Sequence, residues 1–234
     1  MIKEAIEKIE SMATPHVFDI EDAKYTNKTI YPVLNPIQDE VAMSTLTGLV
    51  DYIKSPDVQS PPTETIIHVV SPGCVKVMSI AEGEFKQRTY YAEAVCRTPR
   101  IRFRDRLTVE EFVIQLQSMF EQTEYSKNLL KFVGSLKAGY SKTMKDDGVS
   151  QMVETKTGAA TIAEVSVPNP VRLQPYRTFS EIWQPESSFV FRIHAGDKVT
   201  CALYEADGGA WESVAMLGIA SWLMEKLPEH TVIA

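Results

Sequence analysis

Arginine residues are concentrated in one short segment of this 234-residue chain. Between positions 97 and 106 the sequence RTPRIRFRDR contains five arginines and one aspartate, a net charge of +4, whereas the whole chain carries −7. Four of the arginines alternate with other residues, namely Arg100, Arg102, Arg104 and Arg106. Alternate residues of a β-strand share a face, so this spacing predicts a strand over residues 100–107 with guanidinium groups about 6–7 Å apart in a row.

A row of like charges needs an anionic partner, because adjacent guanidinium groups repel one another. One partner that fits is phosphate, from nucleic acid or a nucleotide, which arginine binds through two parallel hydrogen bonds. Tyr90 and Tyr91, nearby in the sequence, would then offer stacking surfaces for bases. The alternative is an internal or intersubunit ladder of salt bridges to the acids Glu82, Glu84 and Glu93. The acidic charge of the whole chain argues against broad, nonspecific duplex binding.

One further pattern fits metal chemistry. Asp57 after a proline, followed by Glu84 and Lys86 in the sequence EFK, matches the PD-(D/E)xK spacing of metal-dependent nucleases. In such a site the two carboxylates hold a divalent ion and the lysine stabilises the scissile phosphate. Asp57 lies in a proline-rich segment instead of at the end of a strand, so a nuclease is the alternative hypothesis and not the leading one.

Other catalytic and cofactor motifs are missing from the sequence. The three cysteines and four histidines are scattered, without CxxC or HExxH spacing. There is no GxxxxGK[ST] phosphate loop, no GxSxG elbow and no GxGxxG turn after a strand. Glu205 and Asp207, before two glycines, are predicted to form a turn into a helix. The sequence therefore predicts no catalytic residues, no bound metal and no cofactor.

Periodicity and turn signals predict the elements that must position these residues. Strands rich in β-branched and aromatic residues fill positions 65–107, and a second β-rich block runs from 142 to 205. Between the blocks, a capping box at Thr108 and Glu111 begins a helical hairpin. Strands joined by tight turns are antiparallel. The predicted fold class is therefore α+β, with antiparallel sheets from the two blocks, the helical hairpin between them and a buried C-terminal helix.

The N-terminal part of the chain is predicted as a separate lobe. Apolar residues at helical spacing indicate an amphipathic helix over residues 2–12, and a second helix follows after position 44. The next segment, SPDVQSPP, has the composition of a linker. The expected domains are a helical and irregular lobe, residues 1–55, and an α+β main body, residues 63–234.

The C-terminal helix, predicted over residues 210–227, carries more apolar surface than one core face needs. Its large apolar side chains include Trp211, Val214, Trp222 and Leu223. A surplus apolar patch is typical of an interface between subunits, so these four residues are predicted to form one and the protein to be a homo-oligomer. The alternative is a helix enclosed entirely by its own core.

The protein is expected to be soluble and cytoplasmic. The acidic N-terminal sequence MIKEAIEKIE lacks the basic start and apolar run of a secretory signal. The longest near-apolar run, residues 214–224, is about half of the ~20 residues that a membrane span requires. Three widely separated cysteines fit a reducing compartment. We therefore expect no membrane association.

The C-terminal half resembles uncharacterised proteins of bacteriophages and prophages. The sequences VSVPNPVRLQPYRTFSEIWQPESSFVFRIH and ALYEADGGAW are similar to the YfdQ-like group. This resemblance implies a non-structural role in the cytoplasm of an infected bacterial host. The leading prediction is a non-enzymatic, oligomeric, phage-encoded protein that binds an anionic ligand, nucleic acid or nucleotide, through its arginine-rich strand. The alternatives are the nuclease and a self-assembling interaction protein with no small-molecule ligand.

Overall fold

The computed structural model describes residues 2–20, 23–28, 39–55, 61–62, 64–81, 86–146, 151–157, 161–166, 168–194 and 198–234. The chain forms two compact units, Met1–Gln38 and Asp39–Ala234. None of the helices in the described part of the chain is long and apolar enough to cross a membrane.

The first unit contains an amphipathic helix and a hairpin. Helix α1 (Ile2–Ala13) is followed by the antiparallel strands β1 (Val17–Ile20) and β2 (Ala23–Thr26). The apolar spacing predicted this helix, and the structure confirms it. Helix α1 buries none of its residues, so its apolar side chains are exposed.

The second unit contains the remaining elements. In chain order they are β3 (Val41–Met43), α2 (Leu46–Lys54), β4 (Thr65–Ser71), β5 (Cys74–Ser79), β6 (Tyr90–Val95), β7 (Leu107–Thr108), α3 (Val109–Ser118), α4 (Glu124–Gly139), β8 (Tyr140–Asp146), β9 (Gln151–Thr157), β10 (Thr161–Ser166), β11 (Val171–Leu173), β12 (Ser187–His194), β13 (Thr200–Glu205), α5 (Ala210–Lys226) and β14 (Thr231–Ile233).

A five-stranded sheet in the order β14-β4-β5-β6-β3 forms the first half of this unit. Its central strands are antiparallel, whereas the edge strands β14 and β3 pair in parallel with their neighbours. Helices α2 and α5 complete its core, in which Leu46, Leu49 and Ile219 are fully buried. Because α2 packs into this core, the division between the units falls after residue 38, and not in the proline-rich segment that ended the expected lobe 1–55.

A four-stranded antiparallel sheet in the order β11-β12-β13-β7 and the helical hairpin α3–α4 form the second half. The predicted capping box is present: the Thr108 hydroxyl accepts the Glu111 N–H, and the Glu111 carboxylate accepts the Thr108 N–H. Phe112 of α3 packs on Phe191 of β12, with ring centroids 5.3 Å apart. The predicted α+β class, with a helical hairpin between two β-rich blocks and a C-terminal helix, is confirmed.

Strands β8, β9 and β10 form a three-stranded antiparallel sheet of their own. Gln151, the first residue of β9, joins this sheet to β12. Its side-chain amide donates to Ile193 O at 3.1 Å and accepts the Ile193 N–H at 3.0 Å. Strand β11 pairs only with the first three residues of β12, so Gln151 satisfies the edge of β12 further along.

Candidate anion-binding site

The arginine segment, residues 97–106, connects β6 to β7 without regular secondary structure. The strand predicted over residues 100–107 is therefore wrong, since regular pairing begins only at Leu107. Arg104 has a φ of 67°, a left-handed conformation that interrupts the pleat of a strand. Its N–H still donates to Leu203 O of β13 at 2.8 Å, so the segment meets the edge of the second sheet at this residue.

Burial nevertheless alternates over residues 100–104, whereas residues 104–106 are all exposed. Ile101 and Phe103 are half-buried and pack against the core of the second sheet, whereas the arginines are exposed. Phe103 stacks on Phe189, with centroids 5.4 Å apart and 19° between the ring planes, and meets Phe120 edge-on at 6.4 Å. These apolar contacts anchor the segment while its arginines remain in contact with solvent.

Gln115 of α3 fixes the backbone of the segment at a second point. Its side-chain oxygen accepts the Arg102 N–H at 2.8 Å, and its side-chain nitrogen donates to Arg102 O at 3.5 Å. Gln115 is only 4 % exposed, so these bonds satisfy an amide that water does not reach. The backbone of the arginine segment is thus held by the fold and not by its own charges.

Among the arginines of the segment, Arg102 has a carboxylate partner. Its guanidinium lies 3.3 Å from Glu111, and both side chains are nearly half exposed. Hydrogen bonds from Thr108, together with Arg102, hold the pKa of Glu111 below its ordinary value. The other four arginines, Arg97, Arg100, Arg104 and Arg106, have no carboxylate within salt-bridge distance in the part of the chain that the structure describes.

The acids expected to neutralise the row are engaged elsewhere or fall outside the described residues. Glu93 bonds Lys76 at 3.0 Å and accepts the Cys74 thiol at 3.4 Å. Burial, more than Glu93 itself, raises the pKa of Cys74 to about 11, so the thiol stays protonated at neutral pH. Glu82 and Glu84 lie outside the described residues.

The two tyrosines expected to stack on bases lie in β6. Tyr91 is half-buried and packs against the core of the first sheet. Tyr90 is exposed, and Lys76 Nζ lies 5.4 Å from its ring centroid. Neither ring lines the cleft that begins at Arg97 and Pro99 of the arginine segment.

A cleft opens at the start of the arginine segment and consists of two adjoining cavities. The first, about 460 Å³, is lined by Arg97 and Pro99 of the segment, by Ser44 and Thr45 before α2, by Ser118 at the end of α3 and by the loop 174–184. The second, about 440 Å³, shares Tyr176, Ser180 and Gln184 with the first and extends to Trp183. Trp183 is 76 % exposed, which is unusual for so large an aromatic side chain.

The loop that forms the far wall of the cleft is held by a buried amide. The side-chain oxygen of Gln184 accepts the N–H groups of Arg177 and Thr178, and its nitrogen donates to Phe179 O and Ile182 O. The loop is also bonded to the end of α3, where the Tyr176 N–H donates to Met119 O at 3.0 Å. The cleft is therefore a preformed feature of the fold, and sequence reasoning missed it.

Charge is unevenly distributed along the cleft. Arg97 supplies a cation at the end next to the segment. Glu181, which lines the second cavity, accepts the N–H and hydroxyl of Thr47 at 3.0 and 3.1 Å. Burial alone would raise the pKa of Glu181, but these hydrogen bonds outweigh it and hold the pKa below its ordinary value. Burial raises the pKa of the Cys96 thiol at the first cavity, which favours its protonated form.

A second polar cluster surrounds Arg177. Its guanidinium lies 2.7 Å from Glu205, bonds the Ser187 hydroxyl, and stacks 3.9 Å above the ring of Trp211. Ser187 in turn donates to Asp207, whose other oxygen accepts the Gly209 N–H at the start of α5. Glu205 and Asp207 thus form the predicted turn into the helix and tie it to Arg177.

The predicted oligomer interface on α5 is divided between surface and core. Val214 is 57 % exposed, whereas Leu223 is fully buried in the core of the first sheet and is not available to a partner. Trp222 is half-buried against that core, and Trp211 is half-buried beneath Arg177. Besides Val214, the exposed apolar residues of α5 are Leu217 and Met224.

The alternative metal site involves residues that the structure does not describe. Asp57 and Glu84 lie outside the described residues, and Lys86 has a φ of 48° in the connection that precedes β6. Within the described ranges, no three His, Cys, Asp or Glu side chains gather as potential ligands of a metal ion.

The sequences that resemble the YfdQ-like proteins meet in the Arg177 cluster. The first supplies Arg177 and Ser187, and the second supplies Glu205, Asp207 and Trp211. The resemblance therefore concerns residues that pack together, and it stays a prediction. Comparison with models of protein families, with curated proteins and with solved structures gives no match to this chain.

Proposed function

We propose that this protein is a non-enzymatic, phage-encoded binding protein of the bacterial cytoplasm, and that its arginine segment binds a phosphate-bearing ligand, nucleic acid or nucleotide. One observation carries the proposal. Arg100, Arg104 and Arg106 are exposed on an anchored backbone, and no described carboxylate neutralises them. Guanidinium groups suit this role because their planar forks match phosphate oxygens.

The anchoring of the segment supports the same proposal. Packing of Phe103 and the amide of Gln115 already hold the backbone, so the arginine side chains are not needed for its structure. Binding to a preordered backbone loses less conformational entropy than binding to a flexible one. The remainder of the chain is acidic overall, which favours a local contact at this segment over nonspecific coating of duplexes.

Fluorescence anisotropy with a labelled 20-nucleotide oligothymidylate and a labelled nucleoside triphosphate tests the proposal across a salt titration. The triple variant Arg100→Gln/Arg104→Gln/Arg106→Gln should lose most of the binding. For single strands, the slope of log K against log salt should fall by about 0.7 for each phosphate contact removed. Arg172→Gln, an exposed arginine of β11, is the matched control and should bind like wild type.

Two outcomes would overturn the proposal: no binding of either probe by wild type at low salt, or equal binding by the triple variant. The nuclease hypothesis has its own test in divalent-metal-dependent cleavage of DNA or RNA. Such cleavage, abolished in Asp57→Ala or Glu84→Ala, would replace binding by catalysis as the function.

The exposed face of α5 favours self-association as a second property. Val214, Leu217 and Met224 are each at least half exposed and lie along one side of the helix. Exposed apolar side chains on one side of a helix gain free energy when a second copy covers them. Light scattering at micromolar concentration should give a multiple of 26.3 kDa for wild type and a lower mass for Leu217→Glu. A wild-type mass of 26.3 kDa would contradict this proposal.

A further inference from the structure

We propose that the cleft between Arg97 and Trp183 receives a base of a single-stranded nucleic acid, whose phosphates continue along the arginine segment. This inference rests on the proposed function and names its ligand class. The proposal rests on the continuity of the surface. Arg97 and Pro99 belong both to the segment and to the cleft wall, so a nucleic-acid strand bound to the arginines reaches the cleft directly.

The far end of the cleft offers the aromatic surface that unpaired bases require. Trp183 is the most exposed aromatic side chain in the described ranges, and it lies beside Tyr176 in the second cavity. Stacking of a base on such a ring is tolerant of sequence, because every base has a π-face. The Trp183 side chain is largely in water, so packing among the described residues does not account for a large aromatic ring beside this cavity.

The charges of the cleft indicate where the phosphate of the ligand binds and where its base binds. Arg97 at the near end attracts phosphate, whereas the carboxylates of Glu121 and Glu181 line the far cavity and repel it. A neutral base can occupy the far cavity next to these carboxylates. The arrangement thus separates a phosphate contact at Arg97 from a base contact at Trp183.

This division also distinguishes nucleic acid from an acidic protein segment. A polyglutamate chain would satisfy the arginines, but it carries no planar ring for Trp183 and would bring its own carboxylates to Glu121 and Glu181. Duplex DNA keeps its bases stacked on one another, and they would not enter the cleft without unpairing. The geometry favours a single strand over both.

The experiment compares a labelled 12-nucleotide oligothymidylate with an abasic oligomer of the same length and charge. Wild type should bind oligothymidylate about 5- to 100-fold more tightly, the range given by stacking of a single base. Trp183→Ala should lose about 5-fold or more of the affinity for oligothymidylate and none for the abasic oligomer, while Trp183→Phe retains most of both. Tyr125→Ala, an exposed aromatic residue of α4 outside the cleft, is the matched control and should change neither.

Each failure has a different signature. If Trp183→Ala binds oligothymidylate like wild type while the triple arginine variant loses it, the base site is wrong and the phosphate site stands. If wild type binds neither oligomer at low salt, both proposals are wrong. If a polyglutamate 12-mer competes as well as oligothymidylate, the ligand is not a nucleic acid and this inference is overturned.

Discussion

Arg177 and the arginines of segment 97–106 place the same side chain in opposite surroundings. The Arg177 side chain is only 9 % exposed and is enclosed by Glu205, Asp207 and the ring of Trp211. The arginines of the segment are exposed, and among them Arg102 has a described carboxylate partner. Desolvation of a buried guanidinium is costly, so carboxylates must neutralise it. An exposed guanidinium is solvated by water, needs no such partner and is available to a ligand. The comparison separates arginines that hold the fold from arginines available for binding.

The largest effect on stability is expected at Arg177. Arg177→Met leaves two carboxylates next to an apolar side chain, and it should cost about 3 kcal/mol, the lower end of the range for a buried ion pair, because Glu205 is 34 % exposed. Arg172→Met, on the neighbouring strand β11, removes an exposed arginine 3.7 Å from Glu186 and should cost about 1 kcal/mol or less. Urea unfolding of the two variants measures the difference. Equal losses would mean that the Arg177 cluster contributes no more than a surface pair.

A smaller effect is expected where the fold holds the binding segment. Gln115→Ala leaves the Arg102 N–H and C=O without their buried partner, which should lower the free energy of unfolding by about 1–3 kcal/mol. The same variant should weaken oligonucleotide binding, because the segment must then be ordered by the ligand. Gln117→Ala, on the exposed face of the same helix, is the control and should change neither.

The Gln115→Ala variant also shows whether oligonucleotide binding depends on the order of the segment's backbone or only on the charges of its arginines. If Gln115→Ala loses stability but binds oligonucleotide like wild type, the order of the backbone does not matter for the ligand, and the arginines act as independent charges. Anisotropy titrations and urea unfolding on one preparation of the variant give both answers.

The Asp207 carboxyl of the Arg177 cluster predicts that the stability of the fold depends on pH. Burial alone would raise the pKa of Asp207, but hydrogen bonds from Ser187 and the Gly209 N–H, together with Arg177, hold it below its ordinary value of 3.8. A depressed carboxyl pKa stabilises the fold above pH 3.8, and this contribution is lost as the pH falls through the folded-state pKa. The stability gap between wild type and Asp207→Asn should therefore be full at pH 7 and shrink below pH 4. A difference in the free energy of unfolding that stays constant from pH 7 to pH 3, measured by urea unfolding, would contradict this prediction.

Local sequence patterns predicted faces more reliably than backbone conformation. Ile101 and Phe103, which alternate with arginines, pack on the core although the segment is not a strand, because period two describes any extended chain over a flat core. It could not show that Arg104 takes a positive φ, since the edge of β13 determines that conformation. The capping box at Thr108 was recognisable because its two bonds join residues three positions apart.

Long-range features were beyond such patterns. The cleft joins Arg97 to Trp183, 86 positions away, and only the path of loop 174–184 brings them to one surface. The division of the chain into compact units depends on packing in a similar way. The apolar face of α2 is compatible with a lobe of its own or with the core of the first sheet, and only its packing against α5 decides between them.

The smallest effect on stability is expected for the arginines of the segment itself. Two of them, Arg102 and Arg106, test the difference between arginines that hold the fold and arginines that are available for binding. Arg102 pairs with Glu111 at 3.3 Å, but both groups are nearly half exposed, so Arg102→Gln should cost about 0.5 kcal/mol or less. Arg106→Gln removes an exposed charge that has no described partner and should leave stability unchanged.

The loss of binding should be larger for Arg106→Gln than for Arg102→Gln, which is the opposite of the order expected for the loss of stability. A phosphate must compete with Glu111 for Arg102, whereas Arg106 is already free of carboxylates in the described part of the chain. Arg106→Gln should therefore lower the salt slope for single strands by about 0.7, and Arg102→Gln should lower it by less. Thermal melts and salt titrations of both variants give the two rankings. If Arg102→Gln instead lowers the melting temperature clearly and leaves binding unchanged, the arginines of the segment act as a salt-bridge ladder, and the distinction between structural and available arginines fails there.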